Sequence, residues 1–283
     1  MRGKIRRRIM DGMIYLLLIT LAVAWVLPIL YLIYTSLRIT PSTGIINQLI
    51  PDNLRLGLGN FRRLFSQTDF PIWLRNTLIV SISSCALTTM FILMVSYALS
   101  RLRFRFRKPL MRLLLVLGMF PGFMSMIAVY FILKAMGLTN SLLALILVYS
   151  GGAALSYYIC KGFFDTLPRA LEEAALLDGA SQPTIFFKIV LPMAKPMIVY
   201  TVLTSFIAPW CDFIFVNTII GESSKYTVSL GLYKMINAER NGFNDNFTVF
   251  CAGSVVVASL IVTLFMSMQP YYVEGVTAGA VKG

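Results

Sequence analysis

The sequence predicts an all-α, polytopic membrane protein of six transmembrane helices, on three observations. Of its 283 residues, 58% are hydrophobic and only 13% charged, about half the charged share of an ordinary soluble domain. Six separate windows are long and apolar enough to cross a bilayer, which takes about 20 mostly apolar residues per helix. The basic residues lie between those windows and form no single stripe. A large soluble core is excluded, because 25 basic and 12 acidic side chains cannot coat one. A nucleic-acid binder is excluded despite the net charge of +13, since its footprint is a continuous basic face.

The first window, 13–37, follows a basic tail, 1–12, that opens MRGKIRRR. Its apolar stretch is longer than the core of a secretory signal and no small-residue cleavage site follows, so it reads as a retained span. The second window covers 77–100, the third 110–133, the fourth 141–160, the fifth 197–220 and the sixth 248–268. A tail, 269–283, closes the chain. With both termini inside, inner segments carry 16 of the Lys and Arg residues and outer segments 9, the asymmetry expected of cytoplasmic loops. RLRFRFRK, directly after the second window, is the densest basic run and reads as an anchor on anionic headgroups.

The chain has no histidine, so it lacks the commonest general base and metal ligand. Cys85, Cys160, Cys211 and Cys251 form no CxxC pair and read as small buried hydrophobes. No residue is a candidate catalyst, and none is a candidate metal ligand. Asp212 alone places a formal charge deep in a window, which makes it a functional candidate. Pro209 nearby predicts a kink.

Between the fourth and fifth windows, residues 161–196 read as two short helices around a sharp turn. Pro168 suits a first helical turn, Glu172 and Glu173 complement the positive end of that helix, and Leu171, Ala174 and Ala175 give it an apolar side. Asp178-Gly179 predicts its C-terminus. Ser181 predicts a cap for a second helix whose apolar face is Ile185, Phe186, Ile189 and Val190, closed by Pro192 and Pro196.

Glu173-Ala174-Ala175, then Gly179 and Ile189-Val190-Leu191-Pro192, match the pattern E-A-A-x3-G-x9-I-x-L-P. This resembles the EAA-loop signature of the membrane subunits of bacterial binding-protein-dependent ABC importers. By chance alone the match is on the order of one in 10⁸ per starting position. NFRRLF (60–65), WLRNTL (73–78), YALSRLRF (97–104) and GLTNS (137–141) are similar to the carbohydrate subgroup, and KYTVSLGLYKM (225–235) and QPYYVEGVTAGAVKG (269–283) to its MalG-like members. Where that family commonly has Trp-Asn-Asp-Phe, this chain has Cys211.

The resemblance implies a MetI-like ABC importer permease fold, with a cytoplasmic EAA coupling loop at 161–196 and an outer loop at 221–247 facing a binding protein. It implies a sugar permease subunit of the cytoplasmic membrane, with an oligosaccharide such as maltodextrin as cargo. The implied partners are a second homologous permease subunit, two ATPase subunits, an extracytoplasmic sugar-binding protein and membrane lipid. ATP and Mg would sit on the partner ATPase, because this chain has no GxxxxGK[ST] run and binds no cofactor itself. Glu173, Ala174, Ala175, Asp178, Gly179, Ile189, Leu191 and Pro192 would couple to the ATPase. Tyr157, Tyr158, Trp210, Asp212 and Phe213 are candidate lining residues of the sugar path. The same machine with another cargo, such as glycerol phosphate, is the alternative. An ion-driven secondary transporter would need several buried charges and matching broken helices. A membrane enzyme would need clustered acids or histidines.

The charge asymmetry makes a direct prediction about sidedness. In a cysteine-free chain, single cysteines at 66 and 223 react with an impermeant maleimide in intact cells, and a cysteine at 181 reacts only after permeabilisation. Labelling at 181 from outside would invert the topology.

Overall fold

A computed structural model describes residues 2–38, 55–119, 122–152, 154–237 and 242–280. Thirteen helices run through the described residues. They are α1 (Arg2–Leu37), α2 (Gly59–Gln67), α3 (Phe70–Arg101), α4 (Arg107–Met119), α5 (Gly122–Ala135), α6 (Leu142–Ser150) and α7 (Ala154–Thr166). Then follow α8 (Ala170–Leu177), α9 (Gln182–Met193), α10 (Lys195–Cys211), α11 (Ile214–Ile219), α12 (Val228–Asn237) and α13 (Gly242–Ala280).

Helices are the economical way to carry backbone through hydrocarbon, because each N–H and C=O is satisfied within the segment. Four stretches are long and apolar enough to cross by themselves: 9–37, 70–101, 142–166, which comprises α6 and α7, and 246–271. The other two predicted spans are sharply bent. The third divides into α4 and α5, bent by 107°, with Phe120 and Pro121 in the sequence between them. The fifth begins as α10, which leaves α9 at 83°, and is interrupted at Asp212 before α11 resumes. The basic tail is not separate, since α1 is helical from Arg2. α13 likewise continues past the sixth window to Ala280. Residues 281–283, with Lys282, and Arg240 lie outside the described residues.

The chain divides into two compact units. One comprises 1–68 and 234–259. Its centre is Asn60 at the start of α2, whose Nδ2 donates to Ser36 O at 3.0 Å and Arg38 O at 2.8 Å. Asn60 Oδ1 accepts from Thr248 Oγ1 at 3.1 Å. One buried amide thus ties the last turn of α1 to α2 and α13, and Leu64, Val249 and Ala252 are buried in the same unit.

The other unit comprises 69–233 and 260–283. Its spine is α3, which packs along α10, α7 and α6. Small polar residues on α3 are buried, and two of them donate hydrogen bonds across helices, as membrane interfaces favour. Thr88 Oγ1 donates to Tyr149 O at 3.0 Å and Ser96 Oγ to Tyr157 O at 2.9 Å. At the opposite end from Arg101, Asn76 Nδ2 donates to Ser224 O at 2.9 Å and Tyr226 O at 3.1 Å, while Thr77 Oγ1 accepts the N–H of Val228 at 2.8 Å. The segment expected as an outer loop is therefore clamped to α3 and becomes helical at Val228. Asn140, with φ of 57°, adds a second clasp: its Oδ1 accepts from Gly221 N and Glu222 N, and its Nδ2 donates to Glu222 Oε1. Lys225, bonded to Glu222 at 3.0 Å, holds that carboxyl below the ordinary carboxylate range.

Gly231 of α12 lies flat against the indole of buried Trp73, and a Cβ there would fall inside the ring. Overpacking of this kind costs about 1–3 kcal/mol. Gly231→Ala should lower the thermal unfolding midpoint of the detergent-solubilised protein by roughly 2–10 °C, and Trp73→Leu in the same chain should recover part of it. An unchanged midpoint would show that the close approach is dispensable.

Candidate functional site

The hairpin between α7 and α10 is assembled by local rules that its sequence obeys. α8 begins at Ala170, two residues after Pro168, and holds Glu172 and Glu173 in its first turn, where carboxylates complement the helix dipole. It ends on Gly179, whose φ of 80° is left-handed and favours glycine. Gly179 N–H donates to Leu176 O at 3.0 Å, and Ala180 N–H reaches back to Ala175 O at 2.9 Å, closing the helix in the manner of a Schellman turn. Ser181 Oγ then accepts the N–H of Thr184 at 3.4 Å and caps α9.

α9 is not uniform. From Phe186 to Val190 it widens to a π-turn, in which Leu191 N–H donates to Phe186 O five residues back. Pro192, next in line, has no N–H to give, and such single-turn bulges concentrate at functional sites. The turn aims Ile185, Phe186 and Val190 into a buried cluster with Ile92, Leu93 and Tyr97 of α3 and with Cys160 and Phe164 of α7. The Tyr97 ring lies 5.0 Å from Phe186 and meets Phe164 edge-on at 6.1 Å.

A row of polar contacts fastens the hairpin to the Arg101 end of α3. Tyr97 OH donates to Gln182 Oε1 at 3.2 Å, and Ser100 Oγ to Asp165 Oδ1 at 2.6 Å. Lys161 pairs with the other oxygen of Asp165. Arg101 Nη2 donates to Leu167 O at 2.9 Å, and its Nε stands 2.6 Å from Glu172 Oε1. The two side chains of that ion pair are only 5% and 12% exposed.

The two adjacent glutamates therefore have different work. Glu172 is turned inward onto Arg101, while Glu173 is exposed. Ala175 packs against the buried cluster, and Ala174 is exposed. Leu171, expected on the inward side, is 49% exposed, because Glu172 and Ala175 take the buried positions three apart. Asp178 and Gly179 are exposed at the tip, beside Leu177 at 90%. Ile189 and Leu191 pack on the cluster, and Pro192 is exposed. The expected coupling residues thus divide into an exposed edge (Glu173, Ala174, Asp178, Gly179, Pro192) and a supporting face (Ala175, Ile189, Leu191).

The candidate lining residues are not gathered at one place. Tyr157 donates to Gly151 O at 3.0 Å, while Tyr158 is exposed beside Lys108 and Arg112 of α4. Trp210 is buried against Phe206, with centroids 5.9 Å apart. Phe213 stacks on Tyr233 at 4.3 Å. Asp212 interrupts the fifth span: its Oδ2 accepts from Tyr149 OH at 2.9 Å, its Oδ1 accepts the N–H of Phe215 at 3.0 Å, and its carbonyl accepts from Ser229 Oγ at 2.9 Å. It therefore caps α11 and borders a cavity of about 320 Å³ lined by Tyr149, Ser125, Met126 and Val129. Cys211 is exposed, unlike the other three cysteines, because it ends α10 on the side away from buried Trp210. Among the described residues no group of His, Cys, Asp or Glu is arranged to hold a metal.

Arg101 and Tyr149 are the residues that sequence reasoning missed. Charge alone does not separate Arg101 from the other arginines of its run, and Tyr149 was one of 13 tyrosines. The buried partner of each is what distinguishes it.

The binding-protein-dependent transport system inner membrane component family matches residues 92–273. The galactooligosaccharides transport system permease protein GanQ of Bacillus subtilis is 33% identical over 99% of this chain and 98% of its own. The maltodextrin transport system permease protein MalD of Streptococcus pneumoniae is 32% identical over the same shares. The maltose/maltodextrin transport system permease protein MalG of Escherichia coli K12 is 30% identical over 95% of both. A crystal structure of a bacterial ABC transporter involved in the import of the acidic polysaccharide alginate contains a chain of the same fold. Its TM-score is 0.80 at 22% identity, covering 94% of this chain and 97% of that one.

Removing one member of a buried ion pair strands the other, at a cost of about 3–5 kcal/mol. Glu172→Ala should therefore loosen the hairpin, seen as faster protease cleavage within 170–182, and Glu172→Gln should do less. The double change Arg101→Met with Glu172→Leu should restore protection, since a matched apolar pair leaves no stranded charge. Equal cleavage of Glu172→Ala and the parent would show that the pair does not hold the hairpin.

Proposed function

Because the chain belongs to the family of binding-protein-dependent transport system inner membrane components, we propose that it is the permease subunit of an ABC importer for an oligosaccharide of the maltodextrin type. It is a multi-pass membrane component of a transport system, and its relatives act on maltodextrin, maltose and galactooligosaccharides. Their near full-length alignment supports a sugar cargo here.

The single observation that carries the mechanism is the divided hairpin. An exposed edge with Glu173, Ala174 and Leu177 stands on a face fixed rigidly to α3. In this reading the edge lies in the cytoplasm and seats in a cleft of the ATPase subunit. Glu173 supplies a charge-assisted hydrogen bond to that subunit, Leu171 and Leu177 bury their apolar surface in it, and Ala174 permits close approach. Closure of two ATPase subunits on ATP and Mg then pulls on α8. Glu172, Arg101 and the aromatic cluster pass that pull to α3, which carries α6, α7 and α10 with it as a rigid body. The opposite end of α3, with Asn140 and Glu222, faces the extracytoplasmic binding protein. Asp212, Tyr149 and Phe213, at the interruption of the fifth span, border the sugar path, which is completed by a second homologous permease.

The test is ATP-dependent uptake of a labelled maltooligosaccharide by the complex reconstituted with its partner permease, ATPase and binding protein. Glu173→Ala should insert and assemble normally while uptake and binding-protein-stimulated ATP hydrolysis fall together by about tenfold, the worth of one charged hydrogen bond. Undiminished hydrolysis and uptake would remove Glu173 from the coupling contact. Uptake of glycerol phosphate in place of the oligosaccharide would replace the cargo.

A further inference from the structure

The basic run after α3 contains a built groove that the transport reading does not use. Lys108 and Arg112 stand one turn apart on α4, hence on one face. With Met111 and Leu115 of the same helix and Tyr158 of α7, they line a groove of about 200 Å³. Both cations are exposed. Among the described residues no carboxylate pairs with either: Glu172 is taken by Arg101, Asp165 by Lys161 and Ser100, and Glu222 by Lys225. The Tyr158 hydroxyl likewise has no protein partner among them. Beyond Arg112, α4 carries no further charge, and Leu115 on the groove face is 43% exposed.

Two cations and a phenol beside the apolar side chains of Met111 and Leu115 complement one kind of molecule. We infer that the groove between α4 and α7 binds an anionic phospholipid. Its phosphate sits between Lys108 and Arg112, Tyr158 donates to a headgroup oxygen, and the first part of an acyl chain lies on Met111 and Leu115. A compact basic pocket of this kind differs from a diffuse anchor, whose attraction depends only on total charge near the membrane surface. Arg103 and Arg105, exposed but outside the groove, provide the internal comparison. The bound lipid would lean on α7, the helix that leads into the hairpin, so its occupancy would also steady that helix.

The assembled complex in detergent is titrated with phosphatidylglycerol and, separately, with phosphatidylcholine, and bound lipid is counted by native mass spectrometry. The parent should prefer phosphatidylglycerol, and excess inorganic phosphate should leave its occupancy unchanged, because the acyl contacts are half of the site. Lys108→Gln with Arg112→Gln should weaken phosphatidylglycerol binding by roughly tenfold or more, whereas Arg103→Gln with Arg105→Gln should change it by no more than about twofold. Tyr158→Phe, which alters no charge, should weaken it severalfold and serves where the double variant fails to assemble. Equal weakening by the two double variants, displacement by free phosphate, or no preference between the lipids would overturn the proposal.

Discussion

The contact on which the rest depends is the buried pair between Arg101, at the end of α3, and Glu172, in the first turn of α8. Two ions removed from water are costly unless they attract each other at close range. Nε reaches the carboxylate and Nη2 reaches the carbonyl of Leu167, so one guanidinium holds both the entry to the hairpin and its first helix. The pair is poor evidence for added stability, since a well-packed apolar pair holds such a site as well. Its value is positional. A stranded charge on either side makes any other register of α8 expensive, which sets the height and rotation of the exposed Glu173 edge.

Upstream of that pair, α3 works as a spine because its buried face mixes small polar residues with large apolar ones. In hydrocarbon there is no hydrophobic force between helices, so close approach and interhelical hydrogen bonds decide association. Thr88 and Ser96 donate to the carbonyls of Tyr149, at the end of α6, and Tyr157, in α7. Gly152, with φ of 67°, lies between α6 and α7, and a Cβ there would press on Thr88 and Ile92. Asn76 and Thr77 treat the segment after Glu222 in the same way.

Broken helices within a membrane need each freed backbone group to find a partner. At Asp212 the partners are visible: the carboxylate takes the N–H of Phe215, and Ser229 satisfies the carbonyl of Asp212. A charge in the fifth span is thereby explained first as the cap of a helix restart, with Tyr149 as the group that holds it. The adjoining cavity owes its polar corner to the same arrangement.

Much of this was legible in the residues. Composition and window length determined the helical membrane class, because hydrocarbon leaves few other choices. Gly179 and Ser181 determined the turn of the hairpin, because left-handed backbone and an N-cap are local demands. The spacing from Glu173 to Pro192 determined the family. Hydropathy windows, however, measure apolar length and are blind to direction, so the bend between α4 and α5 was hidden inside a smooth window, whereas Pro209 and Asp212 marked the disturbance of the fifth span without showing that the helix stops and restarts there. Tertiary structure alone decided which glutamate faces inward: Glu172 and Glu173 are chemically identical and adjacent, and only the position of Arg101, some 70 residues earlier, separates them. It also decided that Trp73 must meet a glycine at 231 and that Tyr149 holds Asp212. Those contacts join distant segments through packing, and no local periodicity encodes them.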